Sequence, residues 1–130
     1  MTEEIWRGGC LCGAVRFEAR GRPSRVNHCH CQMCRRSSGA IAQTWATFER
    51  DELTVARGDP AAYRASPRAT RRFCATCGAT LFWSGDGSER IDIAIGAFDA
   101  PTGLIAQRHD WAAMRLAAFS LDPHLPSFEN

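Results

Sequence analysis

Seven cysteines in a chain of 130 residues fall into three tight groups: Cys10-Leu11-Cys12, Cys29-His30-Cys31-Gln32-Met33-Cys34 and Cys74-Ala75-Thr76-Cys77. Thiols one or two residues apart sit too close for comfortable pairing with each other, but they suit two corners of a metal tetrahedron. An odd total also cannot be consumed in intramolecular disulfides. Seven divides into four and three, a closed tetrahedral site plus one with a free corner where chemistry can occur. Any fold must bring distant segments together to satisfy this.

Cys74-x-x-Cys77-Gly78 has the form of a zinc knuckle, in which the glycine permits a left-handed turn and lets backbone N–H groups face the sulfurs. Cys10-x-Cys12-Gly13 is a tighter version. Neither fills a tetrahedron alone; joined, they would clamp the N-terminal region to the chain more than sixty residues later. Zinc is the expected ion, with an iron–sulfur cluster as the metal alternative. In the middle group an extended Asn27–Cys31 would put Cys29 and Cys31 on one face and His28 and His30 on the other. After a turn at Gln32, Cys34 returns to the same metal, aided by the N–H groups that open a short helix. The fourth position then goes to water, substrate or a nearby side chain, as in a catalytic zinc; the alternative is a permanent protein ligand such as a histidine, making a second structural site.

His28 and His30 are expected to pack and hydrogen-bond behind the site. His109 and His124, in an irregular C-terminal part, read as surface residues. Arg35 and Arg36 follow Cys34 directly, so a cation should lie near the site; Arg35 is the candidate contact for an anionic thiol substrate. All sixteen basic residues are arginine, which removes lysine Schiff-base chemistry. The formal charge of +2 falls to about −1 once seven thiolates and two zinc ions are counted, so no basic nucleic-acid face is indicated.

The chain reads as one domain over residues 1–130. Met1 to Arg7 carries two acids and no apolar signal-peptide core, and no stretch approaches the roughly 18 apolar residues of a membrane helix. A reducing cytoplasm is the expected setting, with clustered cysteines acting as ligands or reactive thiols. The pattern is mainly β. Strands are expected at Ala14–Ala19, Ile41–Phe48, Leu53–Val55, Ala61–Arg64, Thr80–Trp83 and Ile91–Ile95. Gln32–Ser38 reads as a short helix stopped by Gly39. Trp111–Phe119 has helical composition but fits a strand or an irregular tail equally well.

Three motifs together resemble the glutathione-dependent formaldehyde-activating enzyme (GFA) family, which includes the centromere-protein-V-like proteins. They are Gly8-Gly9-Cys10-Leu11-Cys12-Gly13-Ala14-Val15, His30-Cys31-Gln32-Met33-Cys34-Arg35-Arg36-Ser37-Ser38-Gly39-Ala40, and Phe73-Cys74-Ala75-Thr76-Cys77-Gly78. Weaker echoes are Leu53-Thr54 with Tyr63, and Leu125-Pro126-Ser127-Phe128. The resemblance implies a β-tent of small antiparallel sheets pinned by two zinc ions. Cys10, Cys12, Cys74 and Cys77 would bind the structural zinc, and Cys29, Cys31 and Cys34 the catalytic one. It also implies glutathione as co-substrate and a carbon–sulfur lyase reaction, written in the synthetic sense as formaldehyde plus glutathione giving S-hydroxymethylglutathione. Downstream of Ile95 the match is looser: a histidine leading a short strand is expected before Trp111, whereas the sequence reads Leu104-Ile105-Ala106 with His109 displaced. The rival reading is a zinc-stabilised binding module or thiol sensor without turnover; an iron–sulfur redox protein is a third. Oligomeric state and the true thiol and electrophile stay open at this point.

Overall fold

Short alternating runs broken by glycine and proline build sheets, and the computed structural model, which describes residues Glu4 to Asn130, contains two. The strands are Ile5–Gly9 (β1), Arg16–Arg20 (β2), Arg25–Cys29 (β3), Gln43–Glu49 (β4), Leu53–Arg57 (β5), Ala61–Ser66 (β6), Ala69–Phe73 (β7), Thr80–Gly85 (β8), Arg90–Ala94 (β9) and Arg108–Asp110 (β10). One sheet has the order β1-β2-β5 and the other β10-β3-β4-β9-β8-β7-β6. Every pairing is antiparallel except β10 with β3, which is parallel. The expected mainly-β architecture of antiparallel sheets is therefore what forms. No helix among the described residues is long and apolar enough to cross a membrane.

The core lies between the two sheets. Phe17 and Ala19 point inward from β2, where the alternation read from the sequence puts them. Phe17 meets Phe82 at 5.3 Å and Phe98 at 5.6 Å between ring centroids, both edge-on. Ala46, Phe48, Ile91 and Ile93 face the same core from β4 and β9. Strand β4 is buried on both faces, and on its other side Trp45 lines a cavity described below.

The helix expected at Gln32–Ser38 forms over those residues (α1). Gly39 caps it at φ 73°, donating its N–H to the Arg35 carbonyl at 2.7 Å. Trp111–Phe119 takes the irregular alternative, with one 3₁₀ turn at Ala112–Met114. Trp111 itself sits at φ 56°, a left-handed conformation that breaks any helix at its first residue.

Strand β1 was not foreseen, because Gly8-Gly9 weakens any strand pattern. The structure supplies the reason for Gly8. A Cβ there would stand 2.3 Å from the Ala97 carbonyl oxygen and 2.6 Å from the Phe17 ring. Close approach of the two layers depends on the missing side chain. Gly8→Ala is expected to destabilise the protein by about 1–3 kcal/mol, read as a lower urea midpoint at unchanged slope.

Candidate functional site

Cys10 and Cys12 lie in the β1–β2 loop, Cys74 and Cys77 in the β7–β8 loop, and all four sulfurs fall within 4.8 Å of one another. Cys10 Sγ is 3.7 Å from Cys12 Sγ, and Cys12 Sγ is 3.8 Å from Cys74 Sγ. Zinc–sulfur bonds of about 2.3 Å in a tetrahedron place the sulfurs about 3.8 Å apart, so the set fits a four-thiolate ion. Gly13 and Gly78 adopt φ 82° and 78°, and both loops turn N–H groups onto sulfur: Val15 N–H to Cys10 Sγ at 3.2 Å and Cys77 N–H to Cys74 Sγ at 3.4 Å. Hydrogen bonds from the backbone at Ala79 and Cys12 hold the Cys77 thiol down to about 6. The cluster joins a loop of the three-stranded sheet to a loop of the seven-stranded one.

The second group assembles locally. Cys29 ends β3, Cys31 caps α1, and Cys34 lies in its first turn, donating its N–H to Cys31 Sγ at 3.2 Å. Their sulfurs also lie within 4.8 Å of one another, and no fourth cysteine, histidine or carboxylate of the described residues joins them. Hydrogen bonds from Cys29 and Cys34 drive the Cys31 thiol down, and hydrogen bonding to Cys31 and Cys34 pushes the Cys29 thiol up. All three ionise together only when a cation sits among them, which is the donor set of a metal with one position free.

A cavity of about 460 Å³ opens over this group. Its floor is a row of cross-strand neighbours on one face of the large sheet. Arg25 pairs with Thr47, Thr47 with Asp92, Asp92 with Trp83, and Trp83 with Arg71. Trp45, Trp111 and Met114 complete an apolar wall, and Asn27 and Asp110 add polar groups. Arg71 is buried, donates from Nη2 to Cys34 Sγ at 3.4 Å and from Nη1 to Ser37 Oγ at 3.2 Å, and has no hydrogen-bond partner at Nε. Burial pushes the Asp92 carboxyl above its ordinary range, opposed by the Thr47 hydroxyl that donates to it at 2.6 Å.

The cation beside the thiolates is thus Arg71, which spacing did not point to. Arg35 lies on α1, half-buried, and does not line the cavity. Arg71, Asp92 and the three tryptophans were missed as site residues. The period-2 pattern of β8 and β9 could have put Trp83 and Asp92 on a common face, but only the pairing register brings that face to Cys34.

His28 and His30 do pack behind the site. His28 Nδ1 meets Thr44 Oγ1 at 2.7 Å, and His30 is fully buried. His109 corrects the surface reading. It is buried at the centre of β10, the short strand that precedes Trp111, with its Nδ1 3.0 Å from His30 Nε2. The parallel pairing of β10 with β3 carries it there, a contact across 79 residues. His124 is exposed as expected. The tautomers follow from the bonds: the Asp122 N–H donates to His109 Nε2 at 3.3 Å, so His109 carries its proton on Nδ1 and donates it to His30 Nε2. His30 is then protonated at Nδ1, where the described residues offer no acceptor. Burial and its histidine neighbours push its pKa down to about 4, so His30 is neutral at physiological pH.

Comparison with known proteins agrees with this arrangement. A crystal structure of a Rhodobacter sphaeroides protein superposes with a TM-score of 0.62 at 27% identity, covering 75% of this chain and 91% of that one. A Schizosaccharomyces pombe protein named as an uncharacterized lyase is 27% identical over 79 residues. The match covers 61% of this chain and only 57% of that relative's length. The profile of the family described as glutathione-dependent formaldehyde-activating enzyme matches residues 5–114. With every cysteine motif inside that span, the chain belongs to the GFA family.

Proposed function

We propose that the chain is a lyase-type enzyme that makes or breaks a carbon–sulfur bond of a glutathione-type thiol adduct, holding two zinc ions. Cys10, Cys12, Cys74 and Cys77 would hold the structural ion; Cys29, Cys31 and Cys34 would hold the second. The observation that carries the reading is the three-sulfur set with no fourth ligand among the described residues, facing a cavity large enough for a small molecule. Family membership supports the thiol and the aldehyde as reactants.

When bound, the second ion supplies Lewis acidity and a preference for thiolate over thiol. The chain's own groups do the rest. In the synthetic sense the substrate sulfur's electron pair forms a bond to the aldehyde carbon, the C=O π pair moves to oxygen, and that oxygen takes a proton. Asp92 lies in the cavity as the candidate proton donor, its hold on a proton strengthened by burial. Arg71 donates to Cys34 Sγ through Nη2 and places its positive charge on the cavity wall. Trp45, Trp83 and Trp111 limit water around the reacting atoms. Reduced thiols are required throughout, in keeping with a reducing compartment such as the cytoplasm.

The test is metal content together with titration of a cobalt-substituted sample by glutathione, following the thiolate absorption bands. Two metals per chain, with one set of bands shifting as glutathione is added, is the expected result. Two metals and no response at any concentration would leave a binding module in place of an enzyme.

A further inference from the structure

The cavity over Cys29, Cys31 and Cys34 carries more apolar wall than the reaction proposed above uses. Trp45 and Ala94 are buried with the three cysteines in one cluster, and Trp83 packs against it. Met33, Trp111 and Met114 line the same cavity but stay 47%, 42% and 45% exposed, so they form its open side. Apolar side chains exposed singly are ordinary. Three on the rim of one cavity, sharing it with two indoles beside the sulfurs, mark a ligand surface. Formaldehyde brings no apolar group to cover them, and glutathione is charged and amide-rich along its length. Neither reactant claims this wall.

Trp111 is also held at a cost. It is the only non-glycine residue among the described ones with a left-handed backbone, at φ 56° and ψ 39°. Both neighbours enforce this: the Asp110 carbonyl accepts the His30 N–H at 3.0 Å, and the Ala112 N–H donates to the Phe128 carbonyl at 2.8 Å. Strain that anchored neighbours maintain is typical of positions that clamp a ligand. Here it keeps an exposed indole on the cavity rim.

We propose that the carbon partner of the thiol carries an aromatic group, which covers Met33, Trp111 and Met114 when the adduct is bound. The inference rests on the thiol-adduct reading above and deepens it from the side of the electrophile: an aromatic aldehyde takes the place of the one-carbon compound. An aromatic ring, more than an alkyl chain, suits a wall of indole faces and thioether sulfurs. The bond changes stay balanced without an oxidant. The thiolate pair forms the bond to the aldehyde carbon, the C=O π pair moves to oxygen, and that oxygen takes one proton; cleavage is the reverse. Trp111 is the specificity-determining position, selecting the group on the carbon while the sulfur end stays with the cysteines.

Three stable probes test this on the metal-loaded protein. S-benzylglutathione and S-methylglutathione share the thioether and differ in the group on carbon; benzyl alcohol carries the ring alone. By calorimetry, wild type is expected to bind S-benzylglutathione at least about tenfold tighter than S-methylglutathione. Trp111→Gly is expected to bring the two within about threefold by weakening the benzyl compound. Glycine adopts φ 56° without strain, so this variant should keep or raise the thermal midpoint while losing the preference, which a merely structural role for the indole would not produce. The proposal is overturned if wild type binds the two thioethers equally, if Trp111→Gly keeps the tenfold preference, or if none of the three probes binds. If neither thioether binds while the ring signals of benzyl alcohol broaden by NMR with wild type and not with Trp111→Gly, the glutathione reading fails and the aromatic wall stands.

Discussion

Cys74→Ser is expected to abolish the native fold. Cys74 is fully buried, its sulfur stands 3.8 Å from Cys12 Sγ, and it accepts the Cys77 N–H. A serine oxygen there is a poorer zinc ligand, and the three remaining thiolates would crowd without compensation. Structural zinc sites are coupled to folding by about 10–16 kcal/mol, which exceeds or equals the whole stability of most small domains. The variant should lose one metal equivalent and the near-ultraviolet dichroism of its buried aromatic groups, while retaining part of its far-ultraviolet signal. A cooperative unfolding transition close to wild type, with one metal missing, would show that the four-sulfur cluster does not hold the sheets together.

Cys31→Ser should behave in the opposite way. Cys31 belongs to a cluster whose members lie within six residues of one another, and the chain around it is already fixed by β3, α1 and the Gly39 cap. Serine can still accept the Cys34 N–H as the helix N-cap. The fold should persist, at a cost of about 1–2 kcal/mol, with the near-ultraviolet spectrum unchanged. Metal affinity at this site should fall at least about 100-fold, and turnover of the thiol adduct should fall with it. Metal analysis after dialysis should therefore find one ion per chain. If Cys31→Ser and Cys74→Ser unfold alike, the division into a structural and a reactive site is wrong.

The grouping of the seven cysteines into four and three was legible from their spacing. The helix at Gln32–Ser38 was legible too, because its cap and its stop are adjacent residues. The strands with clear alternation, such as Arg16–Arg20 and Arg90–Ala94, appeared close to where the pattern put them. What escaped was set by pairing between distant segments. Three residues of β10 are too few to show a period, yet their parallel pairing buries His109 and aligns Asp110 with Cys29. Arg71 sits in a basic run, Arg71-Arg72, that reads as solvated surface until β6 and β8 enclose it. Charge patterning alone could not tell a buried guanidinium from an exposed one, and so favoured Arg35, the nearest arginine in sequence to Cys34.

The 62 residues that separate Cys12 from Cys74 also set a timetable. At roughly 5–20 residues per second of synthesis, the first pair of thiols waits about 3–12 seconds for the second. The middle trio is complete within a fraction of that interval, as soon as Cys34 has emerged. In a nascent chain the three-cysteine group is therefore complete before the four-cysteine group exists. Until the second pair emerges, the thiols of Cys10 and Cys12 stay open to oxidants.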